Sequence, residues 1–169
     1  MIKEKRGQMK ISFGMIFSII LIIIFISFSF SIIKNWLELG TTTQIESFVQ
    51  YLQIDVNSAW NGAQNSGIEK YDLPDKVEKV CFVDYASPAK GDGINMQEYM
   101  DDTYSNSNNL FFYPEKVLKY VKNKEIKNIN IEKITIDSNP FCINNIDKKI
   151  TIVLQKNHDE ALVNIVKLE

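Results

Sequence analysis

Apolar and polar residues follow three successive patterns along the chain. The first is a continuous run: Ile11 to Ile33 contains no charged residue and is mostly Ile and Phe. At about 1.5 Å per residue it makes a helix of roughly 34 Å, enough to cross a ~30 Å hydrocarbon core. Lys34, Asn35 and Trp36 then supply a snorkelling amine and an amphipathic ring, as expected at a membrane interface. Gly40 is expected to interrupt the helix. Thr43-Gln44-Ile45-Glu46 has capping-box spacing, so a second helix is predicted to begin near Thr43, with Glu46 reaching back to the cap. Its apolar positions, Ile45, Phe48, Val49, Leu52, Val56 and Trp60, recur at intervals of three and four. That stripe should pack on a sheet, and Asn61-Gly62 should end the helix.

Beyond Gly62 the period shortens. Val77 to Asp84, entered after Leu73-Pro74, reads as the first strand. A loop rich in Gly, Asp and Asn follows, with a short helix suggested by Met96, Tyr99 and Met100. Leu110-Phe-Phe-Tyr113 is either a short strand or an aromatic plug. Pro114 is placed to open a short helix with Val117, Leu118 and Val121 inward. Ile129 to Ile136 alternates with a phase slip at Glu132-Lys133, as a bulged strand would. Lys149–Leu154 and Leu162–Val166 read as a closing hairpin across Lys156–Glu160. The expected fold is α+β: a transmembrane helix, then an amphipathic helix on an antiparallel sheet of about four strands. The organisation is a basic leader (1–10), the span (11–34), an interfacial segment with the amphipathic helix (35–62), and a folded α+β domain (63–169).

Charge adds a direction. Lys3, Lys5, Arg6 and Lys10 precede the apolar run, so the positive-inside rule puts the N-terminus in the cytoplasm and the residues beyond Lys34 outside the cell membrane. The formal net charge is −2, with no dense basic stripe after the leader, which argues against nucleic acid as a partner. Two cysteines, Cys81 and Cys142, fall in the part placed outside, where a disulfide can persist. The alternative is a pair of buried thiols. Their separation excludes a local Cys-x-x-Cys redox motif or zinc knuckle.

Catalytic chemistry has little support in the sequence. His158 is the single histidine and sits in a turn beside Asp159, so neither a Ser-His-Asp arrangement nor a histidine-rich metal site is expected. Asp92, Glu98, Asp101 and Asp102 offer oxygen ligands, but the segment lacks the alternating acidic spacing of an EF-hand. No phosphate-binding glycine loop occurs. No cofactor, metal or catalytic residue is assigned. Tyr99, Tyr104 and Tyr113 are the best candidates for an interaction surface, because aromatics are favoured at interfaces.

Three readings of the N-terminus compete. It could be an uncleaved signal anchor, or a secretory signal cut near Ser29-Phe30-Ser31. The third rests on Lys5-Arg6-Gly7-Gln8 directly ahead of the apolar run. A short basic leader, glycine and glutamine in that position resemble the class III signal of archaeal type IV pilin-like proteins. The resemblance implies cleavage between Gly7 and Gln8 by a prepilin peptidase, with the apolar helix retained. It further implies association with other pilin-like subunits. One position departs from the pattern: counting from Gln8, the fifth mature residue is Ser12, where many pilins carry glutamate. The blocks Arg6–Phe17, Lys79–Asp84, Asn109–Pro114 and Asn139–Ile143 are also similar to single-pass membrane proteins of small-genome archaea, which bring no assigned activity. The expected function is a pilin-like surface protein acting in filament assembly or adhesion, with a tethered, non-polymerising binding domain as the alternative.

Overall fold

The computed structural model describes residues 13–96, 108–114 and 124–168. The chain divides into two compact units, Met1–Leu39 and Gly40–Glu169. The described part of the first is helical and exposed along its length. Within it the hydroxyls of Ser18 and Ser27 donate to Gly14 O and Ile23 O, both at 2.8 Å. The serines thus satisfy themselves against their own helix, which lowers the cost of placing them in an apolar environment.

One helix, α1 (Phe13–Asn61), contributes to both units. The break expected at Gly40 is absent, and Thr43 and Glu46 lie inside α1 instead of at an N-cap. A lone glycine costs a helix only about 1 kcal/mol, and Gly40 does not take the left-handed conformation that would end one. Glu46 pairs instead with Lys124 at 2.7 Å. From Gly40 onward, α1 buries Ile45, Phe48, Leu52, Val56 and Ala59. Trp60, expected on the same stripe, is partly exposed, and its indole N–H donates to Ala161 O at 2.9 Å.

The second unit adds β1 (Asn65–Asp72), β2 (Lys79–Phe82), a 3-10 helix (Gly91–Met96), β3 (Leu110–Tyr113), α2 (Ile131–Ile134), β4 (Phe141–Asn144), β5 (Lys149–Lys156) and β6 (Asn164–Lys167). In place of one sheet of about four strands there are two antiparallel sheets of three, ordered β1-β5-β6 and β3-β2-β4. They share a core with α1. Tyr71, Ile150, Ile152, Leu154 and Ile165 enter it from the first sheet, and Val80, Phe82, Leu110, Phe112 and Ile143 from the second. Cys81, Val83 and Phe111 form a smaller cluster on the opposite face of the second sheet. Burial on both faces explains why β2 and β3 read as unbroken apolar runs.

The sheets meet at the β4–β5 corner. Ile146 and Lys149 exchange both backbone hydrogen bonds, at 2.9 and 3.0 Å, across Asp147 and Lys148. Both central residues have positive φ, 52° and 64°, which defines a primed two-residue turn. The bulged strand expected over Ile129–Ile136 is replaced by α2. Asn130 caps it, its side-chain oxygen accepting from Lys133 N at 3.0 Å, and Ile129 makes only an isolated bridge to Val163. The helices expected around Met96–Met100 and after Pro114 fall largely outside the described residues, as do Gly7 and Gln8.

Candidate functional site

The first feature with a functional signature is the apolar part of α1. It is the one described helix long and apolar enough to cross a membrane, and none of its apolar window is buried by the protein. Leaving Ile19, Ile22, Ile23, Phe25 and their neighbours in water would oppose the hydrophobic effect by roughly 25 cal/mol for each Å² exposed. A bilayer removes that cost. Lys34 and Trp36 are exposed near the end of the run, Trp36 at 75 %, the setting an interfacial pair requires.

The second feature is a covalent clamp. Cys81 lies opposite Cys142 in the β2–β4 register. Asn145 N–H donates to Glu78 O at 2.8 Å, so by alternation 78/145, 80/143 and 82/141 are the hydrogen-bonded pairs and 81/142 is a non-bonded one, where strands approach most closely. The Cα atoms are 4.1 Å apart and the sulfurs form a disulfide. Such a bond persists on the oxidising side of a membrane.

The third is a clamp of polar groups at the same end of β2. Asn139 is fully buried. Its Oδ1 accepts from Asp84 N at 3.0 Å, and its Nδ2 donates to Asp84 O, Ser87 O and Pro88 O at 2.9–3.2 Å. The Asp84 carboxylate accepts from Ala86 N and Ser87 Oγ. Gly91 and Gly93 allow the 3-10 helix to close on this node: a Cβ at Gly93 would lie 2.2 Å from Asn139 O, and one at Gly91 2.3 Å from Asp137 O. The sequence reading missed this role for Asn139. Asn139 entered it only within the Asn139–Ile143 block of similarity, and nothing local points to Asp84 across 55 residues.

Candidate chemistry is spread out. His158 stays in the β5–β6 turn. There Glu160 accepts from Lys133 Nζ and from Asn157 N and Nδ2, and the bond from Lys133 holds its carboxyl below the usual carboxylate range, with the Asn157 N–H adding to the effect. Tyr71 donates to Asp55 at 2.7 Å, and burial, then that carboxylate, push its hydroxyl above the ordinary phenol range. Among the described residues no three His, Cys, Asp or Glu side chains could together hold a metal. A shallow cleft of about 460 Å³ is lined by Thr41, Gln44, Asp72, Pro74, Lys76 and Lys148 among others. Its Lys148–Asp75 pair, at 3.0 Å, is exposed on both sides, so it fixes little. Tyr113 is half-buried at the end of β3 beside the disulfide cluster, while Tyr99 and Tyr104 lie outside the described residues. No family model, curated protein or solved structure matches the chain.

Proposed function

We propose that this chain is a single-pass cell-surface protein of pilin-like type, acting in filament assembly or adhesion and not as an enzyme. The observation that carries the reading is α1 itself, a single helix whose first part is apolar and exposed and whose last part is the core of a disulfide-closed α+β domain. A disulfide is kept where thiols are oxidised, which favours an extracytoplasmic domain and, with the basic leader, a cytoplasmic N-terminus. Its partners are then the lipid bilayer, a prepilin peptidase acting between Gly7 and Gln8, and other pilin-like subunits; nucleic acid is not among them. N-terminal sequencing and intact mass of the protein made in an archaeal host with its own prepilin peptidase test this. A mature chain starting at Gln8 is expected. A chain retaining Met1 or Ile2 would overturn the processing.

A second reading, a tethered binding domain that never polymerises, is favoured by Ser12 standing where many pilins carry glutamate. Electron microscopy of detergent-free membranes separates the two, since only the first gives filaments.

A further inference from the structure

β1 forms one margin of its sheet, and among the described residues no strand lies on its outer side. The ladder fixes which groups face outward. Leu73 N–H donates to Lys148 O at 2.8 Å, so by alternation Tyr71/Ile150, Glu69/Ile152 and Gly67/Leu154 are hydrogen-bonded pairs. The N–H and C=O groups of Ser66, Ile68, Lys70 and Asp72 therefore point away from β5. Their side chains are exposed on the outer face, Ile68 at 57 %. Register places Ile68 beside Val153 and Val153 beside Val166, an apolar row that stops at the open edge. Eight residues of unpaired margin centred on such a row form a template for another strand.

Charge selects the occupant. Two antiparallel β1 edges can meet only with outward residues opposite outward residues. Centring on Lys70 opposes two ammonium groups and sets Ile68 against Asp72. Centring on Glu69 opposes two carboxylates. Centring on Gly67 confines the overlap to Asn65–Glu69 and leaves Lys70, Tyr71 and Asp72 without partners. Centring on Ile68 sets Ile68 against Ile68, Ser66 against Lys70 and Gly67 against Glu69, with no like charges opposed. We propose that β1 pairs antiparallel with β1 of a second copy in this register, fusing two three-stranded sheets into one and continuing the apolar row across the junction.

The pairing has a direction. Thr41 and Gln44 line the same cleft as Leu73 and Pro74, just past the end of β1. Trp60 O accepts from Lys156, the residue paired with Asn65 at the start of β1. From Gly40 onward α1 thus runs against β1. The two-fold axis of an antiparallel pair reverses this direction in the second copy, so the Gly40 ends of the two helices lie at opposite ends of the paired sheet.

The test uses full-length protein in detergent, with Ile68→Cys as the only free thiol. Opposed Cα atoms of a hydrogen-bonded pair are about 5.5 Å apart, within the disulfide range of roughly 4.4–6.8 Å. Mild oxidation should give a covalent dimer at least tenfold faster than Ile94→Cys, an equally exposed position on the 3-10 helix. Ser66→Cys alone should not cross-link, whereas Ser66→Cys mixed with Lys70→Cys should. Ile68→Glu, at an exposed site that leaves the core untouched, should reduce the dimer fraction in sedimentation at least tenfold. Ile68→Cys cross-linking no faster than the control, or a dimer unchanged by Ile68→Glu, would overturn the pairing and assign association to the apolar helix.

Discussion

Removing the Cys81–Cys142 bond tests whether this domain depends on its covalent clamp. The cysteines are separated by 61 residues, and the loop they close includes β3 and part of β2 and β4. In the chain-entropy model a loop of that size restricts the unfolded ensemble by about 14 cal/mol/K, or about 4 kcal/mol at 25 °C. A domain of about 130 residues has roughly 5–15 kcal/mol in total, so the bond supplies a large part of the margin. The perturbation is the double variant Cys81→Ala/Cys142→Ala, which removes the link without leaving a lone thiol. Cys81 is fully buried and Cys142 half-buried, so the packing lost adds to the entropic effect. Urea unfolding followed by near-ultraviolet absorbance or fluorescence of the aromatic residues gives the measurement. With a slope of roughly 2 kcal/mol/M, the midpoint should fall by about 2 M. The slope itself should rise, because an unlinked chain exposes more surface when it unfolds. A midpoint change below about 0.5 M with an unchanged slope would refute the reasoning. It would mean the unfolded chain is not expanded by losing the link, so that the sheet β3-β2-β4 holds itself by packing alone.

Three further perturbations follow from single sites. Gly40→Ala should raise stability by about 0.5–1 kcal/mol, since Gly40 is helical and an added Cβ meets nothing within 4 Å; a loss in the same urea assay would mean that the helix does break there. Gly93→Ala should instead destabilise by more than about 2 kcal/mol, because its Cβ would collide with backbone atoms of Asn139 and Pro140, and Asn139→Ala should cost about 2–3 kcal/mol by leaving Asp84 N and three carbonyls without their partner. Thermal melts with and without the Asn139 change would show whether the two act through one node, as sub-additive losses. Tyr71→Phe should cost about 1 kcal/mol at neutral pH through the lost bond to Asp55. Because the folded hydroxyl titrates above its ordinary value of 10.0, wild-type stability is fully present below that pH and declines as pH rises past it; the Phe variant should lack this alkaline decline, and an identical decline in both would refute the assignment.

What could be read from the sequence divides along physical lines. The apolar run from Ile11 and the spacing of Ile45, Phe48, Leu52 and Val56 are one-dimensional signals, because a helix fixes its faces by its own period. β5 was legible for a similar reason: Ile150, Ile152 and Leu154 alternate with more polar neighbours on a sheet with one open face. The misreadings share a different cause. Ile129–Ile136 alternates like a strand, but Asn130 can cap Lys133 N and tie up the backbone before a ladder forms, and only the tertiary position of Val163 decides between them. β1 is polar at most positions because half its residues face water and its core face holds Gly67 and Glu69 as well as Tyr71; a strand that buries little leaves little trace. β4 was hidden by its turn, since Asp147-Lys148 adopts positive φ without the glycine that normally announces such a hairpin. Splitting one expected sheet into two begins at that corner: the two-residue turn joins Ile146 to Lys149, but the strands do not continue as a hairpin, β4 pairing with β2 and β5 with β1. The division is set by the pairings of β4 with β2 and of β5 with β1, strands far apart in the chain, and no local period records them.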